Sequence, residues 1–107
     1  MNQAEFRNKL RERIRDKVVI VGITPIVAEI TPTRRPLIPS ILYVAISEAT
    51  AWGTVGVVGI DSAGIPTTED ILFTANGTKP TSKAYKTVTK IITTGFTGGD
   101  IEVKTTY

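Results

Sequence analysis

The sequence predicts a mainly β protein: an antiparallel β-sandwich or small barrel of six to seven short strands, preceded by one N-terminal α-helix. Three observations carry that expectation. Short β-branched runs recur at regular spacing after Lys17, each closed by Gly, Pro, Asn or Asp. No helical segment alternates with them, which disfavours a doubly wound α/β fold. Residues 1–17 alone have helical patterning, with no interior Gly or Pro. A chain of 107 residues is enough for one small domain. The expected organisation is a basic amphipathic docking helix at 1–17 and a single β domain at 18–107, with a proline-rich loop at 32–39.

In the leading segment, "MNQAEFRNKLRERIRDK", Phe6, Leu10 and Ile14 recur every four residues and form one narrow apolar stripe. Asn2 suits the N-cap, with Glu5 as its capping-box partner. Each stripe residue contributes about 1.5–3 kcal/mol once covered. Alone, so thin a helix is marginal in water, so it needs a surface to lie on. The charge follows the same division. Residues 1–17 hold six basic and three acidic side chains, so the whole formal excess of +3 sits there.

The strands follow in order. "VVIVGIT" is apolar and β-branched, Pro25 interrupts it, and "IVAEIT" resumes. "PTRRPLIPS" holds Pro32, Pro36 and Pro39, which lack ladder donors, so it reads as a loop or extended arm. "ILYVAIS" is apolar on both faces and is expected to be a central, buried strand. "TVGVVGI" is β-rich, and "DSAG" has the chemistry of a type I turn. "TTEDILF" sets Thr68, Asp70 and Leu72 on one face against Glu69, Ile71 and Phe73 on the other. "TANGTKPTS" reads as a loop with an Asn76-Gly77 turn. "KAYKTVTKIITT" alternates, with Tyr85, Thr87, Thr89 and Ile91 opposing Ala84, Lys86, Val88, Lys90 and Ile92. "GFTGG" reads as a turn, and "DIEVKTTY" ends with Ile101 and Val103 on one face.

The glycines of "WGTVGVVGIDSAG" raise the question of a phosphate loop. Their spacing is G-x-x-G-x-x-G, no Lys follows, and the next element is a strand, so neither a dinucleotide fingerprint nor a P-loop is present. Glycine inside a strand marks a bulge or a close backbone approach. Here Gly56 and Gly59 are expected to let an aromatic such as Trp52 or Phe73 lie across the sheet. The chain has no Cys and no His, which removes imidazole acid–base chemistry, thiol nucleophiles and the usual zinc ligands. Its serines have no His to activate them, and Glu69 and Asp70 fall on opposite strand faces, so they do not chelate one cation together. The expectation is a chain that is not an enzyme, with no catalytic, cofactor-binding or metal residues. No apolar stretch is long enough for a membrane helix, and no secretory leader is visible, so the Asn76-Gly77-Thr78 sequon is read as a turn.

The basic helix has three readings: docking on an acidic neighbouring subunit, a solvated face, or phosphate binding. Interleaved acids and a neutral body put docking first and nucleic acid last. The candidate docking residues are Phe6, Leu10 and Ile14 as apolar anchors, Arg11, Arg13 and Arg15 as ion-pairing groups, and Arg34 and Arg35 on the proline arm.

The stretch from Gly53 onward, with "GIDSAG", "TEDILF", "TANGTKPTSKAYKTVTKI" and "TGGDIEV", resembles small virion structural proteins of tailed phages and related prokaryotic viruses. That resemblance covers about half the chain and implies a β-sandwich that assembles into the particle. The expected function is a capsid decoration (cement) protein bracing the shell. A tail or head–tail connector component is the alternative, and a small nucleic-acid-binding module is the alternative of another class. The implied partners are the major capsid protein or other virion subunits, with further copies of the chain in a homo-oligomer or high-copy assembly. Nucleic acid and membrane are not expected partners. The implied location is the virion, made in the host cytoplasm.

Overall fold

A computed structural model describes residues 18–105. Seven strands follow one another: β1 (Val19–Pro25), β2 (Glu29–Ile30), β3 (Ser40–Ala51), β4 (Thr54–Asp61), β5 (Pro66–Leu72), β6 (Gly77–Thr94) and β7 (Thr97–Lys104). They form a single antiparallel sheet in the order β1-β7-β3-β6-β4-β5, with β2 paired to β6 off that path. The expected mainly β, antiparallel architecture is therefore present, as one sheet left open along its β1 and β5 edges. The expected helix at 1–17, with Phe6, Leu10, Arg11, Arg13, Ile14 and Arg15, lies outside the described residues.

β6 organises the sheet. Its first half pairs with β3, from Ser40↔Tyr85 to Ile46↔Gly77, and its second half with β4, from Thr54↔Thr94 to Asp61↔Tyr85. Eighteen extended residues would span roughly 55–60 Å. Yet Asn76, just before the strand, bonds to Ala49 and Trp52, while Thr94 at its far end lies against Gly53. Both ends thus return to one place, so β6 bends sharply between them. The bend has a cause in the register: β6 carries an extra residue between Val58 and Gly59 of its partner, and another between Ile60 and Asp61. Each such bulge kinks the strand and raises its twist.

The bulges also correct the expected alternation. Tyr85, Val88, Ile91 and Thr93 are the buried residues of this half, so Val88 joins the side of Tyr85 instead of opposing it. Each extra residue flips the parity of everything beyond it. The bent sheet gathers one apolar cluster from all seven of its strands and their flanks, including Ile20, Ile30, Leu42, Val44, Val55, Val57, Ile71, Phe73, Tyr85, Ile91, Ile101 and Val103. β3 is central, between β7 and β6, as its sequence implied; Leu42, Val44 and Ile46 form its buried row.

Four boundaries differ from expectation. β3 runs on past Ser47 to Ala51. β1 continues through Pro25, which pairs with Asp100, and the break falls at residues 26–28. The segment at 77–82 is strand, not loop, because β3 supplies a partner even at Pro80. There the register slips, and the Leu42 amide donates to the Thr81 hydroxyl at 3.0 Å. The turn after β6 is short, since β7 already begins at Thr97. Beyond Pro25, the Ile26 amide donates to Gly99 and the Thr93 amide to Ala28, so the β1–β2 segment ties β7 to β6.

Candidate docking surface

The proline-rich stretch is a loop, as its sequence implied; it is tied to β1 at Thr33 and runs directly into β3 at its other end. The Thr33 amide and hydroxyl both donate to the Ile20 carbonyl, and the Ser40 hydroxyl donates to the Ile38 carbonyl at 2.8 Å. Pro36 is buried between them. Proline fixes φ and offers no amide, so three prolines stiffen the arm without needing ladder partners. What the anchored arm leaves outside is unusual for a loop. Leu37 and Ile38 are 59% and 47% exposed, beside exposed Arg34 and Arg35.

The arm forms one wall of a groove of about 630 Å³, lined by residues 35–39 together with Ile60, Gly64, Lys86 and Thr87. Lys86 is one of the extra residues at the bend of β6, and Ile60 and Gly64 lie at the end of β4 and in the following turn. The groove therefore sits at the fold's corner. Its titratable lining groups, Arg35 and Lys86, are both cationic. The one ion pair among the described residues, Lys104 with Glu102 at 3.3 Å, involves neither of them. Ile65, 56% exposed, adds an apolar side chain next to Gly64.

The turn below the groove is held by Asp61. Its Oδ1 accepts from the amides of Ala63 (2.9 Å) and Ile65 (3.0 Å), and Oδ2 accepts from the Thr67 hydroxyl. The Gly64 amide closes the turn on the Asp61 carbonyl at 3.0 Å. Gly64 has φ +81, which favours glycine. The Ile65 amide is the main reason that Asp61 titrates below the ordinary carboxylate value; burial opposes it, and Ala63, Thr67 and the charge of Lys83 reinforce it.

A second carboxylate covers the edge of β6 beyond the end of β4. Glu69 accepts from the Ser82 amide at 2.5 Å and the Lys83 amide at 3.4 Å, and from the Tyr85 hydroxyl at 3.0 Å. Burial first, then Glu69, raises the Tyr85 pKa well above the usual phenol value. These acids are engaged in holding backbone. Among the described residues, no group of three or more Asp, Glu, His or Cys side chains is placed to hold a metal ion.

At the opposite end of β4, Asn76 replaces a strand residue. Its Oδ1 accepts from the Ala49 amide and the Trp52 indole, and its Nδ2 donates to the Ala49 carbonyl at 3.4 Å. Trp52 is thus tied to Asn76. Gly56 and Gly59 are instead close to backbone and to Asp70: a Cβ at Gly59 would lie 2.2 Å from the Thr87 carbonyl oxygen, and one at Gly56 would lie 3.0 Å from an Asp70 oxygen. The expectation of an aromatic lying over these two glycines is not met. The close backbone approach expected of strand glycines is present.

Of the residues singled out from sequence, Arg34 and Arg35 are exposed on the arm, and the other six lie outside the described residues. Sequence reading missed Leu37, Ile38, Ile65 and Lys86. An apolar pair between two prolines was the available signal for Leu37 and Ile38. Lys86 had none, because only the bulge in β6 turns it toward the arm. Comparison with family models, with curated proteins and with solved structures finds no match.

Proposed function

We propose that this chain is a structural subunit of a virus particle without enzymatic activity, a capsid decoration protein that binds the major capsid protein or other virion subunits and braces the shell. The observation that carries the reading is the anchored proline arm, which presents Arg34, Arg35, Leu37 and Ile38 beside an open groove. A preordered arm loses little entropy on binding, which favours association. Arginine is enriched at protein interfaces, and the exposed Leu37 and Ile38 add apolar area beside it. The likeness of residues 53–107 to small virion proteins supplies the context, and the bent sheet is read as the two-layer body of such a protein. Binding only to the assembled shell would stabilise it by mass action.

The reading is tested on purified particles from the host that carries this sequence. The expected result is stoichiometric presence of the chain in the particle fraction, lost on deletion of residues 1–17. Absence of the full chain from particles rejects the virion assignment. Unchanged occupancy after the deletion rejects the docking role of Phe6, Leu10, Arg11, Arg13, Ile14 and Arg15.

A further inference from the structure

The groove and the free sheet edge have complementary chemistry. Arg35 and Lys86 line the groove, with apolar Leu37, Ile38 and Ile60. β5 ends the sheet path, so one of its edges has no ladder partner among the described residues. Its outward row is Thr68, Asp70 and Leu72, all exposed, Leu72 at 60%. An acid and an apolar side chain, two residues apart on one strand face, match the cations and the apolar wall of the groove in kind, while the Lys79 ammonium donates to the Leu72 carbonyl on that edge at 2.6 Å.

The two features lie along one face of the β4–β5 ladder but do not meet within one molecule. Asp70 pairs with Gly56 and Leu72 with Thr54, whereas the groove borders Ile60, four and six residues further along. Those separations are roughly 13 and 20 Å along the strand, and no ion pair among the described residues joins Asp70 to Arg35 or Lys86. The leading segment of the chain is a poor occupant by charge, since residues 1–17 carry the same positive sign as the groove. β5 also carries a device against uncontrolled pairing, with Pro66 at its start and Asp70 on its exposed face. A buried or complementary cation converts that same aspartate from a deterrent into a selector of partner.

We infer that the groove of one copy receives the β5 edge of a second copy, with Asp70 facing Arg35 and Lys86 and Leu72 seated against Leu37 and Ile38. The inference rests on the reading of the chain as an assembly subunit. Because the two patches are different surfaces, each copy gives one contact and receives one. Such a contact is heterologous: it closes into a ring when the rotation between copies allows and otherwise extends as a filament.

Sedimentation of the full chain across the micromolar range, at low salt, tests this. Wild-type protein is expected to associate, more weakly as salt rises. The groove variant R35E/K86E and the edge variant D70K are each expected to weaken association at least tenfold. Both change only exposed side chains, and a thermal melt of each variant checks that it folds. The decisive arm is the equimolar mixture. The reversed edge of one variant fits the reversed groove of the other, and their unchanged patches fit as before, so mixing restores association.

A monomeric wild type, unaffected single variants, or a mixture that stays monomeric each overturns the inference. A monomeric chain that still enters particles overturns only this contact. A self-associating chain absent from particles overturns the virion assignment instead.

Discussion

At the turn between β4 and β5, three donors converge on one carboxylate, and this ties the ionisation of Asp61 to folding. Its folded pKa is depressed, chiefly by the Ile65 amide. The stabilisation is therefore complete above the ordinary carboxylate pKa of about 3.9 and is lost as pH falls through the lower folded value. Acid titration of melting temperature is expected to show this loss in the wild type and a flatter limb in D61N. Tyr85 acts at the other extreme. Its pKa is raised, by burial first and Glu69 second, so its contribution is complete below about pH 10 and falls as pH rises beyond it. Y85F removes the donor to Glu69 and is expected to cost about 1 kcal/mol near neutrality while flattening the alkaline limb. The glycines give the sharpest contrast. A Cβ at Gly53 would lie 1.9 Å from the Thr94 carbonyl oxygen, whereas one at Gly22 meets nothing within 4 Å. G53A is expected to lose about 1–3 kcal/mol or more in denaturant unfolding, and G22A to stay within about 0.5 kcal/mol of wild type.

Among the elements, β6 shows where local pattern and tertiary demand part. Alternation of apolar and polar residues correctly marked 83–94 as strand, yet it put Val88 opposite Tyr85. Nothing in the local sequence announces that Lys86 and Thr89 are the surplus residues; the register against β4 decides it. Pro80 misled in the other direction. Proline argues for a loop when only its own strand is considered, but β3 provides pairing around it and the Thr81 hydroxyl takes the Leu42 amide. β4 and β5 were legible because Val55 with Val57, and Ile71 with Phe73, follow alternation and their ends carry turn residues; β3 was legible only to Ser47, since past Glu48, at φ +58, its buried row shifts from Ile46 to Ala49 and the strand continues to Ala51. The arm was legible from its prolines, while its groove was not, since Lys86 and Ile60 reach it only through the bend. Asn76 gave a turn signal, and the structure adds a further task, the pairing of Ala49 and Trp52. N76A is expected to cost about 1–2 kcal/mol and to speed hydrogen exchange at the Ala49 amide, with a change in Trp52 fluorescence.

For the whole molecule, the division of labour runs between a bent sheet that satisfies itself and an outer surface that does not. Among the described residues no buried side-chain polar atom lacks a hydrogen-bond partner. The acids near the corner hold backbone, and the arm adds cations and apolar groups on the outside. That asymmetry underlies the proposed role as an assembly subunit, with the arm as its contact. The most direct measurement is the occupancy of purified particles by R34E/R35E, compared with wild type at equal expression. Both arginines are exposed, so the melting temperature should not move. Occupancy reduced at least tenfold is the expected result. Equal occupancy of the variant and the wild type would contradict the account.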